Sequence, residues 1–340
     1  MKSLIKRELL HIRWVTVLLL VALMIPLLGY LDNASLTPER YGTVVTLDSY
    51  DIIYFSGDFL LWFTLPLLVI IQFYYERKTG TYELLTAMPV SSRKRHASKF
   101  LAGLIALFVV HGAGLLLVMV SATSVGIVQG EINQIWYWFA LTLGSSVMQY
   151  AFFFMVATLC GQGILAGATG FITLYAPVFI ASTTLAIMDT FMPGIYFDDA
   201  LWLQYLVPQY LARLSYDWQL VPLDFVFSQV NGYLILSLVF FLLSRVFWVQ
   251  GKREYTGNLF MFRWAEHVFR YGFSLCFFLI FMSIAAISSD GWLFPVFLLI
   301  ALGSLPVGWL ISGKILEFTG CQICIKHPRQ RLKEQLDQTT

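Results

Sequence analysis

Several groups of residues have types and spacing that could do chemistry, and the surroundings of each argue against it. Gly308-Trp309-Leu310-Ile311-Ser312-Gly313-Lys314 has the GxxxxGK spacing of a phosphate-cradling loop. Ile315 stands where that loop needs a Ser or Thr, and the match closes an apolar run instead of following a buried strand. Nucleotide, if used, is therefore bound by another chain. Cys321, Cys324 and His327 have the spacing of half a zinc site, but no second ligand pair accompanies them, so no metal is expected. His111 is the only histidine within a long apolar run, and beside Gly112 and Gly114 it reads as a neutral ring bonded to a neighbouring helix. Asp58 and Arg245 lie only at the ends of apolar runs, and no run holds an interior carboxylate or a nucleophile with a base, which speaks against an intramembrane enzyme and against proton-coupled transport.

The elements that must position these residues are membrane spans. Only 12% of the 340 residues are charged and 58% are hydrophobic, half the charge of a soluble domain. Apolar stretches near 14–31, 55–75, 100–128, 135–159, 164–187, 231–249, 271–288 and 293–312, with Asp58 and Arg245 as their only charges and these toward span ends, are each long enough to cross ~30 Å of hydrocarbon. The run 132–188 is too long for one helix and breaks at Cys160-Gly161-Gln162-Gly163. Gly126/Gly130 and Gly163/Gly167/Gly170 are seams for close helix packing, within one subunit or between two. The expected fold is an all-α polytopic membrane protein of eight spans. The first span follows a positive start with no small-residue cleavage site and is read as retained.

Basic residues set the orientation. In an eight-span arrangement 20 of the 22 Lys and Arg fall on one side, Arg40 and Arg213 being the exceptions. Both termini, including the tail 313–340, are therefore expected in the cytoplasm. Residues 1–13 read as an interfacial amphipathic helix with Ile5, Leu9 and Ile12 on one stripe, lying in the membrane surface before the first span turns inward.

The segment 76–99 is the informative one on that side. Gly80 permits a turn, Pro89 closes a short helical stretch, and within it Leu84, Leu85 and Met88 share one face of two turns, with Glu83 turned elsewhere. Such a stripe either rests on the bilayer or seats in a groove of a soluble partner. Arg93-Lys94-Arg95 and Lys99 then lead into the third span, in their plainest reading as its positive flank.

The order is an amphipathic start, two spans, Glu76 directly after the second, then Gly80, Glu83, Leu84, Leu85, Met88 and Pro89, and a Lys opening the third span. It resembles the permease subunit of ABC-2 type transporters over residues 1–250. The resemblance implies an ABC-2 exporter transmembrane core of six spans over 14–250. It makes the short helix a coupling helix that docks on a separate ATPase subunit holding ATP and Mg2+, so that this chain is no enzyme and binds no cofactor itself. It also implies a second permease protomer, identical or homologous, and a bacterial plasma-membrane location, with membrane lipid and no nucleic acid as partner. The outer segment 189–230 holds ten aromatic residues from Phe191 to Phe227. In the resembled family it caps the path, with Trp202, Tyr205 and Tyr210 as gate candidates. Residues 251–312 depart from the six-span pattern by adding two spans, and Gly251 to Gly272 is similar to Firmicute permeases of the acetoin-utilisation and cell-wall-stress type. The function this implies is ATP-driven export of a hydrophobic or amphipathic molecule, such as a lipid-linked molecule or peptide antibiotic. A membrane scaffold or sensor that recruits a cytoplasmic partner without transport is the alternative.

Overall fold

The computed structural model describes residues 2–36, 58–78, 90–125, 132–191, 223–251, 259–287 and 294–318. Among these the chain forms eight helices and no strand longer than a single bridge: α1 Lys2–Leu36, α2 Asp58–Lys78, α3 Ser92–Val125, α4 Ile132–Leu159, α5 Gly163–Phe191, α6 Leu223–Gln250, α7 Arg263–Ile287 and α8 Phe294–Phe318. Helices are what apolar runs become where no water can satisfy backbone groups. Seven are long and apolar enough to cross a membrane, and α2 carries a shorter apolar stretch, Phe63–Tyr74. The fold is the all-α polytopic one expected.

Side-chain pairs give the topology. His11 meets Ile71 and Gln72 meets Lys99, so α1, α2 and α3 alternate in direction. His111 meets Ser146, turning α4 back against α3, and Ser274 meets Leu305 between antiparallel α7 and α8. The start of α1, the end of α2 and the start of α3, all rich in Lys and Arg, therefore lie together at one end, here the basic end. The most buried span is α4, which packs on α2, α3, α5 and α6. Its Tyr150, Phe153 and Phe154 are fully buried in the main core, whose members on the other helices include Leu19, Leu68 and Leu107.

The break between α4 and α5 falls at Cys160-Gly161-Gln162, as the sequence indicated. The segment before α7 is pinned there: Met261 N donates to Leu159 O at 2.7 Å, and Gly161 N donates to Leu259 O at 3.0 Å. The glycine seam of α5 packs within the chain. A Cβ on Gly163 would lie 2.5 Å from the Tyr74 Cα, and one on Gly167 would lie 2.3 Å from Ile70 Cδ1, both on α2. Gly126 and Gly130 fall outside the described residues. Beyond their roots, α7 leans on α5 and α8 on α7, and both leave long apolar faces exposed.

The N-terminus differs from its reading as a separate surface helix. α1 runs unbroken over 35 residues, about 52 Å. Residues 3–25 contain neither Gly nor Pro, so nothing in the sequence turns the chain at position 13. The stripe faces protein: Ile12 is fully buried, Leu9 packs on the core and Ile5 is half-buried.

Candidate functional site

Of the residues singled out from sequence, Gly80, Glu83, Leu84, Leu85, Met88 and Pro89 lie outside the described residues, as do Trp202, Tyr205 and Tyr210 and the pair Cys321 and Cys324 with His327. Glu76 belongs to the last turn of α2. What is described is the base from which residues 79–89 spring, and it is built of buried polar groups.

Four helices supply one residue each to a hydrogen-bonded knot. Lys99, in the second turn of α3, points inward with its side chain 3% exposed, and Glu8 of α1 is 2% exposed. Lys99 Nζ donates to Glu8 Oε2 at 3.0 Å and to the Gln72 carbonyl of α2 at 2.9 Å. Gln72 returns the contact, its Nε2 donating to the Lys99 carbonyl at 3.2 Å. Tyr150 of α4 donates from its hydroxyl to Gln72 Oε1 at 3.2 Å. Arg7 bonds the other Glu8 oxygen, and the Lys99 ammonium sits 5.7 Å from the centre of the Phe73 ring. A buried ammonium and a buried carboxylate each cost several kcal/mol to desolvate, and such a pair persists only when further bonds satisfy it. Here the Gln72 carbonyl and the Arg7 guanidinium do so, and Tyr150 and the Lys99 carbonyl in turn hold Gln72.

The tyrosine reaches the knot because Gly103 lets it. A Cβ there would stand 2.1 Å from the Tyr150 hydroxyl oxygen, so α3 and α4 approach this closely only over glycine. A second tie joins α3 to α6: His96 Nε2 meets Ser244 Oγ at 2.9 Å, and Trp248 Nε1 donates to the Ser92 carbonyl at 3.2 Å. The His96 ring packs among Phe154, Phe241 and Trp248. The first turns of α3 are therefore a buried polar base: Arg95, His96, Ser98 and Lys99 are all buried, and only Arg93 and Lys94 behave as the exposed flank expected of the whole run. His111 matches its plain reading, with Nδ1 2.9 Å from the Leu107 carbonyl and Nε2 3.1 Å from Ser146 Oγ on α4.

Sequence reasoning singled out Lys99 and passed over Glu8, Gln72, Tyr150 and His96. One signal was present: Glu8 is the only carboxylate in the first 31 residues, set in an apolar helix beginning. Its partner 91 positions away is invisible to any local pattern. The knot holds no nucleophile poised on a base. What it can do is mechanical, since sliding α1 against α3 strands a buried charge and sliding α2 or α4 breaks the bonds of Gln72.

Residues 4–181, more than half of the chain, match the family model described as ABC-2 family transporter protein. The match runs from α1 into α5 and contains every member of the knot, whereas α6, α7 and α8 lie beyond it. A search of curated proteins finds no match. With its apolar helices and this match together, the chain belongs to the ABC-2 family of transporter proteins, as a multi-pass membrane component.

Proposed function

We propose that the chain is the permease subunit of an ATP-driven exporter of the bacterial plasma membrane, with both termini in the cytoplasm and ATP-Mg on a separate ATPase subunit. Residues 79–89 form its coupling helix, with Leu84, Leu85 and Met88 seated in a groove of the ATPase. Glu76, Gly80, Glu83 and Pro89 set where the helix begins and ends. The observation that carries this reading is the knot. Gln72 lies about two turns before that segment and Lys99 about three turns after it, and each bonds the other. A displacement of the segment is thereby delivered to α2 and α3 together, and through Glu8 and Tyr150 to α1 and α4. An apolar stripe resting on lipid would have no need of so rigid a mount.

Two protomers, identical or paired with a homologue, enclose the path within membrane lipid, and residues 189–230 cap it with Trp202, Tyr205 and Tyr210. The cargo is hydrophobic or amphipathic, of the lipid-linked or peptide-antibiotic kind. Supporting this, among the described residues of α3 to α6 the only charged or imidazole side chain between the two ends is His111, which is satisfied by the protein. The resemblance of Gly251 to Gly272 to Firmicute permeases agrees with such cargo.

The test is Leu85→Asp. It places an unpaired charge in the proposed contact, at a cost of several kcal/mol if the groove is dry, and leaves the spans untouched. Membrane abundance stays normal while co-purification of the ATPase and transport-linked ATP hydrolysis are lost. An ATPase retained at wild-type yield would show that the stripe only rests on lipid and would overturn the assignment.

A further inference from the structure

The basic end of the α7–α8 hairpin carries a second group of polar residues that the coupling reading does not use. The Arg270 guanidinium lies 5.5 Å from the centre of the Trp309 ring, and the Tyr271 ring packs on Trp309 at 4.9 Å. Arg270 Nε is buried and meets no acceptor among the described residues. Gly313 lies against the guanidinium: a Cβ there would stand in ordinary contact, 3.5 Å from Arg270 Nη2. Lys314 comes directly after it. Its only described ion pair is a surface one to Glu317 at 3.1 Å, with the lysine side chain 82% exposed, a kind of pair that holds weakly. Beside Lys314, on the last turns of α8, is a shallow groove lined by Leu310, Ile311, Lys314 and Ile315.

We propose that this groove binds one anionic phospholipid of the leaflet at the basic end. Its phosphate sits between Arg270 and Lys314, its glycerol region against Tyr271 and Trp309, and one acyl chain along Leu310 and Ile311. The nature of the walls selects the occupant. The outward faces of both helices are apolar, with Val268, Leu302 and Leu310 exposed, so lipid is what the groove meets. A half-buried guanidinium beside a loosely held, exposed ammonium selects a headgroup with net negative charge over a zwitterionic one. A hairpin that reaches the bundle chiefly through α7 is thereby fastened to the bilayer where it leaves it. This inference needs only the membrane-spanning fold and is independent of the ATPase partner.

The test is native mass spectrometry of the purified full chain titrated with phosphatidylglycerol and, separately, with phosphatidylcholine. One tightly held phosphatidylglycerol is expected, with phosphatidylcholine binding weakly. Arg270→Gln lowers phosphatidylglycerol affinity about tenfold, as loss of one charge-assisted bond would. Gly313→Val, whose γ-methyls reach beyond that contact and crowd the guanidinium without removing charge, has a similar effect, and Lys314→Gln a smaller one. Arg93→Gln, an exposed charge at the same end of α3, leaves affinity unchanged. Equal loss in Arg93→Gln and Arg270→Gln would reduce the effect to general surface charge and overturn the site. Displacement of the lipid by soluble glycerol phosphate would show a headgroup site without the acyl groove and overturn it equally. Should Arg270→Gln fail to fold, Lys314→Gln and Gly313→Val decide, and wild-type affinity in both refutes the proposal.

Discussion

Removing either member of the Glu8–Lys99 pair should cost far more than removing both. Lys99→Met leaves the Glu8 carboxylate in a site 2% exposed, with Arg7 as its remaining cation. Glu8→Leu leaves the ammonium, 3% exposed, without its carboxylate, beside the Gln72 carbonyl and the Phe73 ring. Stranding one partner of a buried pair costs about 3–5 kcal/mol. The methionine variant belongs at the lower end, because the Arg7 side chain, 43% exposed, can still turn toward Glu8. The double variant strands no charge and fills the site with apolar volume close to the original. Its loss should stay within about 2 kcal/mol, the remainder being the bonds that Gln72 and Arg7 each forgo.

Equilibrium unfolding of the purified chain in mixed detergent micelles, run as a double-mutant cycle, reads these values directly. Hydrogen exchange at the first three turns of α1 supplies a local readout, with protection falling in each single variant and returning in the double. Single losses below about 1 kcal/mol would mean that water reaches the pair. Simple addition of the two losses in the double variant would mean that the residues act separately. Either result would refute the knot as the element that fixes the base of α1 to α3.

Two further outcomes are expected beside the Leu85→Asp and phospholipid experiments. Single cysteines at Ser35 and Ser215 should react with an impermeant thiol reagent on intact cells and those at Ser92 and Thr256 should not; labelling at Ser92 would reverse the orientation. Gly163→Ala, whose Cβ would press on the Tyr74 backbone, should destabilise the chain by about 1–3 kcal/mol in the same micelle assay. Gly112→Ala, with nothing within 4 Å, should be neutral or stabilising by up to about 1 kcal/mol, and equal effects at the two positions would argue against the α2–α5 approach.

Those elements were legible whose physics is local. An uncharged run of about 20 residues has one stable answer in lipid, so the helices and the Gly161/Gly163 break could be read directly. The continuity of α1 was also legible in the absence of any helix breaker before Pro26, but the charges at Lys2, Lys6, Arg7 and Arg13 suggest a surface helix when read alone. Lys99 illustrates the opposite limit. A lysine at the start of a span has the same local appearance whether it snorkels to water or turns inward onto a carboxylate. Only the register of α1 against α3 decides, and that register is a property of the packed bundle. Gln72 and Tyr150 gave no signal for the same reason, since a lone amide and a phenol at span ends are ordinary.

The placement of the polar groups bears on how the bundle can move. Past Lys99 the buried face of α3 continues as Ala102, Ala106, Leu107 and Val110. Along this length register is set by the fit of apolar side chains and not by buried charge. At the basic end each helix has one permitted register, the one in which Lys99 meets Glu8 and Gln72 while Tyr150 meets Gln72. Fixing register is the role in which buried polar groups best offset their desolvation cost. The His111–Ser146 bond repeats the device once, farther along and between α3 and α4 only. A rearrangement that keeps the knot closed therefore carries the bases of α1 to α4 as one body. It has only the apolar length beyond them in which to change the packing of α1 and α2 on their neighbours, while α3 and α4 stay paired through His111.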